Sequence, residues 1–170
     1  GKLLNAGQTC LAPDYVLAPR GMVEALAEAA RGAVAALYPG IKDNRDYTAI
    51  ATAAHYERLR ALIADAAAKG ARVIEVNPRG EDFSRQEHRK LPPTLVLNPS
   101  DEMDVLREEI FGPVLPIVGY NTIDDAIAFV NARPHPLALY YFGRDEAECE
   151  TVLASTNSGG VTINDVIFHV

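Results

Sequence analysis

Cys10 closes the small-residue segment Asn5-Ala6-Gly7-Gln8-Thr9-Cys10. A thiol nucleophile needs such a loop, because the backbone must come close to substrate and Gly7 permits it. The Cys10 backbone N–H can also point into the site and donate to a developing oxyanion. Against this stands the ordinary fate of a free cysteine, burial in a core. Cys149 fits that ordinary fate: it lies among Asp145, Glu146, Glu148 and Glu150, whose carboxylates oppose a thiolate. A second constellation is Arg107-Glu108-Glu109-Ile110-Phe111-Gly112-Pro113-Val114. A carboxylate there can accept two hydroxyls, the geometry of a ribose diol, and the aromatic can lie along a flat ring. The bland alternative is a solvated charge pair before a buried strand. The third, Ser158 to Asp165, brings two glycines into a strand and ends with Asn164, which can hydrogen-bond a loop. Its alternative is a strand with a polar cap.

Other chemistries find no support. There is no G-x-G-x-x-G, no P-loop and no G-x-S-x-G elbow. The histidines at 55, 88, 135 and 169 lack ligand spacing, and two distant cysteines make no zinc set, so no metal is expected. Sixteen basic against twenty-three acidic residues leave a net charge of −7. That balance disfavours nucleic-acid binding and an anionic membrane surface. No apolar run approaches the roughly 18 residues of a membrane span. Two cysteines do not make a disulfide framework, and a reduced cytoplasmic setting is expected.

The elements that must position these residues follow from periodicity. Tyr15–Ala18 reads as a short strand stopped by Pro19 and Gly21. Apolar residues from Met22 to Leu37 and from Ala53 to Ala68 recur at helical spacing. Pro39-Gly40 ends the first helix, and Lys69-Gly70 closes the second with a cationic last turn and a C′ glycine. Val73–Val76, Thr94–Leu97 and Val114–Val118 read as strands, with Pro116 suggesting an edge or a bulge. Pro78–Lys90 reads as an exposed loop. Thr122 and Asp125 resemble a capping box, with Asp in place of the usual Glu, that opens a helix ended before Pro134. Leu137–Phe142 reads as a buried strand, Asp145 to about Ala154 as a helix, and Gly160–Ile163 as a last strand. Strands alternating with helices predict an α/β fold: an open, mostly parallel sheet flanked by helices.

Taken together, the three constellations resemble the aldehyde dehydrogenase superfamily. Asn5–Cys10 is similar to its active-site cysteine motif and Glu108–Pro113 to its second signature, about a hundred residues apart. Leu137–Phe142 and Gly159–Val166 resemble the class-3-type branch. Ala12–Leu17 and Arg133–Leu137 are similar to that branch's coniferyl aldehyde dehydrogenases. The resemblance covers essentially the whole chain. It implies Cys10 as nucleophile, with its backbone N–H in the oxyanion hole and Asn5, Gly7 and Gln8 supporting the loop. It implies Glu109 and Phe111 as contacts to the nicotinamide half of NAD or NADP.

The resemblance further implies an aldehyde oxidised to its acid through a thiohemiacetal and a thioester, in a homo-oligomer. Three features of the family are not found in these residues: the Rossmann-like cofactor domain, the water-activating Glu of a Glu-Leu-Gly-Gly motif, and an oxyanion-hole Asn. Residues 1–170 are therefore expected to be a catalytic, nucleophile-bearing domain truncated at both ends, and inactive alone. Two other readings stay open. One is a noncatalytic interaction or structural module that keeps the fold. The other is a cysteine-dependent hydrolase, although no histidine lies close to Cys10 in sequence to act as its base.

Overall fold

The computed structural model describes residues 1–168. His169, one of the histidines weighed for zinc, and Val170 lie outside the described residues. The chain divides into two compact units: Lys2–Gly119, and Tyr120 onward together with Gly1.

The larger unit is built on a four-stranded sheet. Its strands are β1 (Val16–Pro19), β2 (Arg72–Glu75), β3 (Thr94–Leu97) and β4 (Val114–Tyr120), in the order β1-β4-β3-β2. Strand β3 runs parallel to β4, with Val96 opposite Pro116, and antiparallel to β2, with Val73 opposite Val96. Two helices, α1 (Val23–Leu37) and α2 (Ala53–Ala68), pack on this sheet. Side chains alternate across a strand, and here the two faces meet different helices. Leu95, Leu97 and Ile117 join Val23, Ala27 and Val34 of α1. Val96 and Val114 join Leu59, Leu62 and Ala66 of α2. All four residues of β3 are buried because both faces are covered, which is why its sequence is a continuous run rather than an alternating one.

Local signals set the ends of α2. The Thr52 hydroxyl accepts the His55 N–H at its start. At its end Gly70 adopts φ +89°; its N–H reaches Ala67 O and that of Ala71 reaches Ala66 O, a Schellman closure.

The smaller unit holds α3 (Ile123–Asn131), β5 (Leu139–Tyr141), α4 (Glu146–Ser155) and β6 (Val161–Ile163), with β5 and β6 parallel. The capping box is complete: Thr122 accepts the Asp125 N–H and Asp125 accepts the Thr122 N–H. At the third constellation a Cβ on Gly159 would lie 2.6 Å from Leu137 O. Asn164 brackets a loop, donating to Gly143 O and accepting the Gly143 N–H, both at 3.0 Å.

Three expectations need correction. Pro116 is not at an edge, since β4 lies between β1 and β3, and its register against β3 is unbroken. Thr94 N–H bonds Pro113 O and Asn98 N–H bonds Ile117 O. The odd-numbered residues of β4 thus serve β3, so the missing N–H of Pro116 costs that ladder nothing. Leu137–Phe142 is not a buried strand: only Leu139–Tyr141 is extended, with Leu137 54% and Phe142 64% exposed. A two-stranded sheet has too little cover to bury a whole run. The Pro78–Lys90 loop is not exposed throughout. Its end is anchored, with Lys90 buried and Gln86 holding both the N–H and the carbonyl of Lys90.

Candidate active site

The cysteine loop is strained backbone. Asn5, Ala6 and Gly7 take φ of 51°, 52° and 75°, three successive residues in the left-handed region. Asn and Gly tolerate that region, whereas Ala6 costs roughly 1–2 kcal/mol there. Side chains lock the turn. Gln8, buried, donates its amide to Asn5 O (3.1 Å) and Ala49 O (3.0 Å), and its Oε1 accepts the Ala51 N–H (2.9 Å). Asn5 returns a bond to Gln8 O at 3.1 Å. Gln8 thus staples the loop to the segment that leads into α2. Beyond this braced turn Cys10 is exposed, while Cys149 is partly buried.

The second constellation packs directly on the first. A Cβ on Gly7 would sit 2.3 Å from Gly112 O and 2.9 Å from Lys2 O. A Cβ on Gly112 would in turn meet Leu59 Cδ2 at 2.5 Å. Two glycines, one from each motif, therefore let the cysteine loop, the Phe-Gly-Pro turn and α2 touch at backbone distance.

Two residues that the sequence reading did not single out hold the Glu109–Phe111 turn. Arg58 forks across it, with Nη2 donating to Glu109 O (2.9 Å) and Ile110 O (2.6 Å) and Nη1 reaching Glu108 (3.2 Å). His55 Nε2 lies 2.7 Å from Phe111 O. A carbonyl only accepts, so Nε2 carries the hydrogen and Nδ1 offers its lone pair toward Arg58 Nε at 3.5 Å. His55 and Arg58 are three apart in the first turns of a capped helix, hence on one face. That spacing after Thr52 was the signal available; the partner it would meet was not.

The clamp fixes a strained shape. Phe111 has φ 53°, a conformation worth about 1–3 kcal/mol that persists because its surroundings impose it. Its ring is 37% exposed and stands 6.1 Å from the His55 ring. The Glu109 side chain is also exposed. An exposed carboxylate beside an exposed aromatic edge suits a ribose diol and a flat ring. These residues therefore fit the nicotinamide half of a dinucleotide by their chemistry.

Charge accumulates behind the turn. Asp14 accepts the Ile110 N–H at 2.9 Å. Burial pushes its carboxyl above the usual carboxylate range and Glu109 adds to that push, while the Ile110 bond, Lys2 and Arg58 oppose it. Burial pulls the Lys2 ammonium down to about 8, against the attraction of Asp14. Lys2 Nζ and Thr9 Oγ1 are buried without a hydrogen-bond partner. No group of three or more His, Cys, Asp or Glu side chains among the described residues could hold a metal ion, and none of the described helices is long and apolar enough to cross a membrane.

An accessible cysteine thus follows a braced left-handed turn that packs against a clamped acidic–aromatic turn in an α/β unit. The chain belongs to the aldehyde dehydrogenase family, whose match covers residues 1–170. It is 64% identical over 170 residues to a probable coniferyl aldehyde dehydrogenase of Caulobacter vibrioides, covering 100% of this chain and 35% of that protein. It is 37% identical over 171 residues to the dimeric NADP-preferring aldehyde dehydrogenase of Rattus norvegicus, covering 100% of this chain and 36% of that one. Among solved structures, the substrate-bound state of AldH from Staphylococcus aureus superposes with a TM-score of 0.88 at 35% identity, over 99% of this chain and 35% of that chain. The chain thus spans about a third of the length of the relatives it matches.

Proposed function

We propose that the protein carrying this chain oxidises an aldehyde to the carboxylic acid with NAD or NADP, and that Cys10 is its nucleophile. Carrying this reading is the junction at Gly7 and Gly112, where the cysteine loop meets the Glu109–Phe111 turn at backbone distance. A thiol that attacks a carbonyl and a surface that holds a hydride acceptor must be neighbours for the reaction to be intramolecular. The Cys10 thiolate adds to the aldehyde carbon, forming a thiohemiacetal, with its own backbone N–H donating to the oxyanion. Departure of hydride leaves a thioester, which water cleaves to the acid and free thiol. The nicotinamide supplies the hydride acceptor when bound. Glu109 takes the ribose diol and Phe111 lies beside the ring, both kept in place by His55 and Arg58.

Aromatic aldehydes of the coniferyl type are the proposed substrates, in line with the name of the 64% identical relative. A homo-oligomer is proposed from the name of the dimeric relative, and a cytoplasmic location from the scarcity of cysteine in the sequence. Residues 1–170 are read as the nucleophile-bearing part. Alone they would bind aldehyde reversibly at Cys10 without forming reduced cofactor, because a positioned acceptor is worth roughly 7–11 kcal/mol.

The test is fluorescence of reduced cofactor from the intact protein with coniferyl aldehyde and either dinucleotide. Turnover that vanishes in Cys10→Ser supports the reading. Turnover that survives in Cys10→Ser ends it.

A further inference from the structure

Residues 49–51 belong to no strand or helix, so their backbone groups must find partners elsewhere. Two side chains meet that need. Gln8 takes Ala49 O and the Ala51 N–H. Arg89 completes the grip: its Nε donates to Ile50 O and its Nη2 to Ala51 O, both at 3.0 Å. Its own carbonyl accepts the Ile50 N–H at 2.8 Å. A planar guanidinium can fork across two consecutive carbonyls in this way. The Ile50 side chain is fully buried, in the same core as Ala6 and Leu59. This short segment is where α2 takes its start. Thr52 follows and caps the helix, and from its first turns His55 reaches Phe111 O at 2.7 Å and Arg58 reaches Glu109 O and Ile110 O. The same segment holds Gln8, whose amide also grips Asn5 O in the cysteine loop.

We propose that Arg89 is a positioning residue for the active site: by fixing residues 49–51 it gives the Cys10 loop and the clamp on the Glu109–Phe111 turn one common anchor, and so keeps the nucleophile and the cofactor-facing turn in register. The inference rests on the reading that Cys10 attacks the aldehyde and that Glu109 and Phe111 meet a dinucleotide. Arg89 acts through Gln8 on one side and through His55 and Arg58 on the other, not by contact with substrate or cofactor. Without its fork, Ile50 O and Ala51 O turn to water, and the backbone that orients both Gln8 and the first turn of α2 regains conformational freedom.

The test uses the intact protein and two readouts. One is the dissociation constants of NAD and NADP by calorimetry. The other is the stopped-flow rate of the first turnover of reduced cofactor, with dinucleotide and aldehyde saturating. Arg89→Met should weaken dinucleotide binding and slow the first turnover, each by roughly fivefold. Asp65→Asn is the control. It loosens the far end of α2, where Asp65 pairs with Lys69 and accepts the Asp104 N–H, and should leave both readouts within about twofold of wild type. Because Arg89 reaches the cofactor-facing turn through the start of α2, its effect on binding should shrink in a His55→Ala background. A loss confined to one readout, equal losses in Asp65→Asn, or binding losses that multiply in full in the Arg89→Met/His55→Ala double variant overturns the inference. Should Arg89→Met not fold, Arg89→Lys is read by the same criteria, since an ammonium keeps the charge without the planar fork. A wild type that neither binds a dinucleotide nor turns over overturns the proposed function and this inference with it. Wild-type binding and turnover with an indifferent Arg89→Met overturns the inference alone.

Discussion

Replacing Gly7 with alanine isolates the contact on which the site depends. The new Cβ would stand 2.3 Å from Gly112 O and 2.7 Å from its carbonyl carbon, both backbone atoms that no rotamer change can move. Ordinary contact begins near 3.4 Å, so one partner must retreat by about 1 Å. Two costs combine. The left-handed backbone penalises any Cβ by roughly 1–2 kcal/mol, and overpacking adds roughly 1–3 kcal/mol. Gly80→Ala is the control, since Gly80 has φ +62° but open space around it. It carries the first cost without the second. Urea unfolding of the two variants should therefore show Gly7→Ala losing about 2–5 kcal/mol and Gly80→Ala about 1–2. Because the retreat moves either the cysteine loop or the Gly112 turn, turnover in Gly7→Ala should drop about a hundredfold. Equal stability losses in the two variants, or Gly7→Ala turnover within twofold of wild type, would refute the reasoning.

Gln8→Ala leaves the Ala51 N–H and Ala49 O without their partner and should cost about 2–4 kcal/mol, read from denaturant midpoints; a loss near zero would mean the staple is idle. A thiol reagent under native conditions should label Cys10 before Cys149, mapped by peptide mass, and the reverse order would count against Cys10. Glu109→Gln should slow hydride transfer, the step that forms the thioester, more than the hydrolysis that follows, so the burst of reduced cofactor should shrink relative to the steady-state phase; an intact burst with a slowed steady state is the wrong pattern. The Lys69 hydrogen bond, joined by the Asp104 N–H, holds the Asp65 carboxyl below the usual carboxylate range. Its pKa is depressed on folding, so the stability it contributes is present above the ordinary carboxylate pKa and is lost as pH falls through the folded value. In Asp65→Asn that acid-side fall in melting temperature should be shallower, and salt should narrow the difference.

Local order was legible because local rules set it. Helix α2 runs over the span that its apolar spacing predicts, since Thr52 starts it and Gly70 stops it through bonds within a few residues. The Thr122–Asp125 box likewise needs only its own four residues. The cysteine and acidic–aromatic motifs could be picked out as residue types whose chemistry is intrinsic. What lies between the elements was not legible in the same way. The interior place of Pro116 depends on which strands flank β4, and the exposure of Leu137 and Phe142 on a sheet of only two strands. His55 and Arg58 look like any solvated helix face until α2 is laid against a turn fifty residues further on. The partnership of Gly7 with Gly112, and of Asp14 with Ile110, exists only after folding. Sequence sets which atoms can accept, donate or attack, and the conformations each short stretch prefers. Only tertiary packing brings groups a hundred residues apart within hydrogen-bond reach, because Coulomb and hydrogen-bond energies depend on separation in space and not along the chain.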